Sequence, residues 1–200
     1  MFIQRDAGLW FKAMVNNCKV VERLKKVKMI ITDVDGTLTE GYIYFSESGD
    51  EFKNFSVQDG YGIALAQEQG LLVGVISGRD SIATIEMAKD RNIPANMLYQ
   101  GVMKNKVQYV EKMQKMHNLN CEETLYFGDD VLDIQVKKNV CLFASPDTAL
   151  FYIQEASDFV VPKCGGCGAF RLLIDLILYV QGKHFAQDVI SQAIDKVSCL

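Results

Sequence analysis

The sequence predicts an α/β protein: a doubly wound, Rossmann-like, mostly parallel sheet, with a β-hairpin after its first strand and no cap domain. Three observations carry this. Short apolar runs of strand length alternate with longer segments of helical period. Three of those runs end in polar residues, where open α/β sheets bind their ligands. The chain of 200 residues has only three prolines, no repeat and no low-complexity linker, so it fits one domain spanning 1–200.

The elements follow in order. Residues 1–27 mix charges with apolar residues and lack the basic-then-apolar layout of a signal peptide, so they read as an extension of one or two amphipathic helices. Met29–Thr32 is a continuous apolar run, the pattern of a buried parallel strand. Residues 41–56 break the rhythm. Two alternating runs, Tyr42–Phe45 and Glu51–Phe55, flank Ser-Glu-Ser-Gly-Asp and read as a hairpin flap or interface. Further strands are expected at Leu72–Ile76, Met97–Tyr99, Thr124–Phe127, Val140–Phe143 and Phe159–Val160. Helices are expected at Gly60–Gln69, Ser81–Arg91, Asn105–His117, Val131–Lys138, Asp147–Glu155 and Ala169–Gln181, with a last one at Phe185–Lys196 in a tail covering 182–200.

Composition narrows the function. A net charge of −4 gives no basic footprint for nucleic acid, and no apolar run reaches the ~20 residues that span a membrane. The six cysteines (Cys18, Cys121, Cys141, Cys164, Cys167 and Cys199) are scattered and read as reduced thiols of a cytoplasmic protein. Cys164-Gly-Gly-Cys167 has no second ligand pair for zinc, so it reads as a glycine-rich loop lining the site.

The strand ends hold the chemistry. The first strand ends in Asp33-Val-Asp35-Gly36, the second in Ser77-Gly78-Arg79, and another in Gly128-Asp129-Asp130, with Asp133 one turn further on. Lys104 and Lys106 lie at a helix start. Two like charges aimed the same way are costly unless a cation lies between them. Neighbouring carboxylates suit Mg²⁺, and a serine, backbone N–H groups and a lysine suit a phosphate. Phosphoryl transfer follows, with one carboxylate of the first pair as nucleophile and the other exchanging a proton. A phosphoreceiver module shares these residue types. There, however, the lysine follows the hydroxyl and the acidic pair precedes the phosphorylated aspartate.

DVDGT, ISGR, a helix-start lysine and GDDxxD, in this order, resemble the four motifs of the haloacid dehalogenase superfamily. The resemblance implies that Asp33 is the nucleophile and Asp35 the general acid/base. It implies metal contacts from Asp33, Asp35 (through its backbone carbonyl) and Asp129, with Asp130 and Asp133 in support. Ser77 and Gly78 would hold the phosphate, with Lys106 preferred over Lys104 for its spacing to GDD. The gaps from Asp35 to Ser77 and from Arg79 to Lys106 are too short for a cap, which leaves the hairpin and the C-terminal segment as lids. Within the superfamily, residues from about Lys28 to Lys183 resemble the capless phosphatases of 3-deoxy-manno-octulosonate 8-phosphate, through SGRDS, LYQGV, YFGDD, CGGCGAFR and LILYVQGK. That resemblance implies a Mg²⁺-dependent homotetramer of lipopolysaccharide sugar synthesis, with the hairpin and tail at its interfaces. It also implies that Arg79 meets the substrate carboxylate. A sister group acts on nine-carbon, sialic-type 9-phosphates and tends to lack this arginine. The chain departs from the family pattern at Gln58, where arginine is usual, at Cys167 in a variable place, and at Leu172, where glutamate is usual.

Overall fold

The computed structural model describes residues 6–197. Cys199 and the outermost parts of the expected extension and tail, 1–5 and 198–200, lie outside the described residues. In chain order the elements are α1 (Ala7–Asn16), α2 (Cys18–Leu24), β1 (Met29–Thr32), β2 (Tyr44–Phe45), β3 (Glu51–Phe52), α3 (Val57–Glu68), β4 (Leu72–Ile76), α4 (Ile82–Asp90), β5 (Leu98–Tyr99), α5 (Lys106–Met116), β6 (Thr124–Phe127), α6 (Val131–Ile134), β7 (Leu142–Pro146), α7 (Phe151–Ala156), β8 (Phe159–Val161), α8 (Ala169–Val180) and α9 (Gln187–Lys196).

Six strands form one sheet in the order β5-β4-β1-β6-β7-β8, with parallel pairing throughout. The chain runs outward from β1 through β4 to β5, then returns to the other side of β1 as β6. This reversal is the topological switch point, where strand carboxyl ends leave a crevice. β1 is fully buried because β4 and β6 flank it in register, Met29 opposite Leu72 and Thr124. α8 supplies the apolar cover: Phe170, Leu173, Ile174, Leu176 and Ile177 are each fully buried, and α8 packs on α3. Each such side chain contributes about 1.5–3 kcal/mol through burial. Among the described residues no helix is long and apolar enough to cross a membrane.

Several boundaries differ from expectation, for local reasons. α3 begins at Val57 rather than Gly60, because Ser56 caps it by accepting from the Asp59 N–H. The strand expected over Val140–Phe143 runs Leu142–Pro146. Pro146 is tolerated there because the β6 ladder stops at Phe127 opposite Ala144, so its missing N–H breaks no pairing on that side. The helix expected from Asp147 starts at Phe151, since the Gln154 side-chain amide ties the Asp147 and Ala149 carbonyls into a turn. The Val131–Lys138 helix is α-helical only to Ile134 and continues as a 3₁₀ turn over Gln135–Asn139. Residue 97 belongs to a 3₁₀ turn, Ala95–Met97, ahead of β5. The hairpin strands are shorter than expected, with Tyr44 paired to Phe52 and Phe45 to Glu51. α9 packs on α1 and reaches α8, where the Tyr179 and Ser191 hydroxyls meet at 3.0 Å.

Candidate active site

The buried end of β1 delivers Asp33 into the crevice, with its backbone N–H bonded to the Phe127 carbonyl on β6. The chain then turns tightly. Thr37, Leu38 and Thr39 N–H groups converge on the Val34 carbonyl. Gly36 adopts φ +91, and a Cβ there would collide with the Asp129 carboxylate. Only glycine therefore allows the loop after β1 and the loop after β6 to meet.

Oxygens of Asp33, Asp129 and Asp133 lie within 4.8 Å of one another, the only such acidic, cysteine or histidine group among the described residues. Asp133 is fully buried and saturated. One oxygen accepts from Lys106 Nζ at 2.7 Å and the Tyr126 hydroxyl at 2.7 Å, while the other accepts the Asp129 and Asp130 N–H groups at 3.1 and 3.2 Å. It is thus more than a helix-start charge, because it locks the loop and the lysine together. Asp130 is exposed and caps α6 through the Val131 N–H.

Lys106 is buried at the start of α5, with Nζ 3.2 Å from Asp33 Oδ1 and donating to the Ile76 carbonyl. Lys104 is exposed, and Lys106 is the one of the two that lies beside Asp33. Burial alone would lower the Lys106 pKa, but Asp133 and then Asp33 outweigh it and hold the ammonium above its ordinary value. Burial, reinforced by Asp133, pushes Asp33 up to about 7 and Asp129 up to about 8. Asp129 Oδ1 is buried with no hydrogen-bond partner. Such a surplus of buried negative charge is the environment a divalent cation relieves.

Ser77, fully buried, ends β4 and accepts the Arg79 N–H at 3.2 Å, and its hydroxyl proton is left to donate elsewhere. Gly78 follows, where a Cβ would press on Met103 Sδ at 3.3 Å. The Arg79 side chain is half exposed and pairs with Glu51 of β3 at 3.0 Å.

Three partners were not anticipated from sequence. Lys53, with its side chain fully buried, reaches from the hairpin to both Asp35 oxygens, at 2.8 and 2.9 Å. Glu51 lies between Arg79 and Lys53. Asp59 accepts the Gly168 and Arg171 N–H groups at 3.0 and 2.8 Å and so caps α8, whose own N-cap, Gly168, has no side chain. An acidic residue three positions after Ser56 was the available sign for Asp59. The hairpin lysine had no sign beyond its alternation.

The Cys164–Gly168 loop packs on the DGT turn. Gly166 N–H donates to the Thr37 carbonyl at 2.8 Å, and a Cβ on Gly165 would collide with the Gly36 carbonyl. Cys167 Sγ donates to Glu40 at 3.3 Å, and burial pushes its thiol up to about 11, away from a reactive thiolate. Gln58 and Leu172, two of the three departures, line one cleft with Lys163, Arg171 and Asp175.

A DxD pair on the central strand, a serine on its neighbour, a buried lysine and an acidic loop around one switch-point crevice define a phosphoric monoester hydrolase of the haloacid dehalogenase superfamily. Within it, the chain belongs to the 3-deoxy-D-manno-octulosonate 8-phosphate phosphatase family. It is 34% identical over 167 residues to the KdsC phosphatase of that name from Haemophilus influenzae, covering 84% of this chain and 91% of the relative. The crystal structure of the Yersinia pestis phosphatase aligns with TM-score 0.80 at 32% identity, over 83% of this chain and 88% of that one. The Moraxella catarrhalis phosphatase, solved with a magnesium ion, a phosphate ion and a KDO molecule, aligns with TM-score 0.78 at 28% identity, over 86% and 95%. No family model matches the chain.

Proposed function

We propose that this protein is a Mg²⁺-dependent phosphatase that hydrolyses 3-deoxy-D-manno-octulosonate 8-phosphate through an aspartyl-phosphate on Asp33. The observation that carries the reading is the grouping of buried Asp33 and Lys106 with half-buried Asp129 at the end of β1, in a chain of this family.

The donor set fits Mg²⁺, with hard oxygens, a surplus of charge and a buried Asp129 oxygen lacking a partner. Asp33, Asp129 and the Asp35 backbone carbonyl would hold it. Asp133, whose oxygens are already engaged, instead positions Lys106 and the GDD loop. When bound, Mg²⁺ neutralises charge on the phosphoryl group and lets an anionic carboxylate approach it.

The side chains carry the steps. An Asp33 oxygen attacks phosphorus as the ester P–O bond breaks, and the leaving sugar oxygen takes a proton from the Asp35 carboxyl. The Asp35 carboxylate then takes a proton from water as the water oxygen attacks phosphorus. The Asp33–phosphorus bond breaks, releasing phosphate and restoring both aspartates. The Ser77 hydroxyl, the Gly78 backbone and the Lys106 ammonium bind the phosphate oxygens, and Arg79 offers its guanidinium edge to the sugar-acid carboxylate.

The same reading makes the chain a single cytoplasmic catalytic domain working as a homotetramer, with the hairpin at an interface. Exposed Tyr42, Tyr44, Phe45 and Phe52 support an interface there. The test is phosphate release from 3-deoxy-D-manno-octulosonate 8-phosphate with Mg²⁺. EDTA should abolish it, and a nine-carbon sugar acid 9-phosphate should give a lower kcat/KM. No release at micromolar enzyme, beside an active relative, would overturn the reading.

A further inference from the structure

We infer that Glu51 is a specificity-setting residue: a built-in carboxylate that occupies Arg79 in the free enzyme and yields it to the carboxylate of the substrate. The inference rests on the reading of Arg79 as the group that receives that carboxylate.

The geometry is that of an exchange. Glu51 Oε2 lies 3.0 Å from an Arg79 terminal nitrogen, and Glu51 Oε1 lies 3.7 Å from Lys53 Nζ. Oε1 is buried with no cation in hydrogen-bond reach, and the Ser81 side chain is the carboxylate's other hydrogen-bonding neighbour. The carboxylate is therefore bonded to one cation while a second lies just beyond hydrogen-bond reach. The Lys53 side chain is fully buried and the Arg79 side chain is 46% exposed, so Arg79 is the cation a solvent-borne anion can reach. Glu51 stands on β3 of the two-stranded hairpin, outside the six-stranded sheet.

An incoming carboxylate and ionised Glu51 repel each other if both crowd one guanidinium. Displacement of Glu51 toward Lys53 removes the repulsion and keeps both anions paired. A phosphate ester without a carboxylate draws no such exchange. Glu51 therefore makes carboxylate recognition competitive, and weak anions do not hold Arg79.

The test compares 3-deoxy-D-manno-octulosonate 8-phosphate with para-nitrophenyl phosphate. In Glu51→Gln, KM for the sugar-acid phosphate should fall about fivefold, the size of an exposed ion pair, with kcat nearly unchanged. Inhibition by the free sugar acid should tighten to the same extent, and KM for para-nitrophenyl phosphate should not move. Arg79→Ala should raise KM for the sugar-acid phosphate and erase the Glu51→Gln effect in the double variant. A rise or no change in KM in Glu51→Gln, with Arg79→Ala still raising it, would overturn the exchange and make Glu51 a support for Arg79. No change in Arg79→Ala would overturn the reading of Arg79 itself, and the exchange with it.

Discussion

Lys53 Nζ lies 2.8 Å from one oxygen of Asp35 and 2.9 Å from the other, an ammonium carried on the hairpin that grips the second carboxylate of the DxD pair. The hairpin thus reaches the carboxylate proposed to exchange the proton. Lys53→Met should lower kcat by about 10²-fold, the lower end of what a positioned acid/base contributes, with the far-UV circular dichroism unchanged. Wild-type kcat in this variant would show that the grip on Asp35 is incidental.

Asp33→Asn removes an anionic oxygen of the proposed nucleophile while keeping the shape of the side chain. Phosphate release should drop by at least ~10³-fold, as for other lost nucleophiles. The variant should still melt cooperatively, which separates lost chemistry from lost fold.

Asp133 holds a lysine, a tyrosine and two backbone N–H groups with no exposure to solvent. Asp133→Ala leaves Lys106 facing one carboxylate fewer and strands those donors. Stability should fall by about 3–5 kcal/mol, the usual result of breaking a buried ion pair, read from urea unfolding. A loss of activity with full stability would contradict the locking role.

In metal-free protein, Asp33 at about 7 and Asp129 at about 8 are both raised above the ordinary carboxylate value. The folded state therefore holds protons that the unfolded chain has already lost. Their contribution to stability is full below the ordinary carboxylate range and is lost as pH rises through about 7 to 8. With EDTA, Tm should fall over this window, and the fall should be smaller in Asp129→Asn. Mg²⁺ should restore Tm most at the alkaline end, where the ligands are ionised. An EDTA profile identical in wild type and Asp129→Asn would contradict the assignment.

The four motif residues were legible because each stands at the end or start of an element whose period is local: Asp33 after β1, Ser77 after β4, Lys106 opening α5 and Asp129 after β6. Parallel crossovers place the strand carboxyl ends on one side of the sheet, and they converge at the switch point that the strand order creates. Boundaries were less legible where side chains compete for backbone, as Gln154 does before α7 and Ser56 does before α3.

By itself, then, the sequence determined the α/β alternation, the family and which carboxylates stand beside β1, because hydrophobic period and residue order are properties of neighbours along the chain. The tertiary structure alone decided that Lys53 grips Asp35, that Glu51 bridges Arg79 and Lys53, that Asp133 is buried among four donors and that Asp59 caps α8. The pairings of Lys53 with Asp35, Lys106 with Asp133, Arg79 with Glu51, and Asp59 with the start of α8 join residues 18 to 112 apart. No local pattern encodes them. They arise where a buried charge must find its counter-charge or its hydrogen bonds, and only the packed fold determines which partner is within reach.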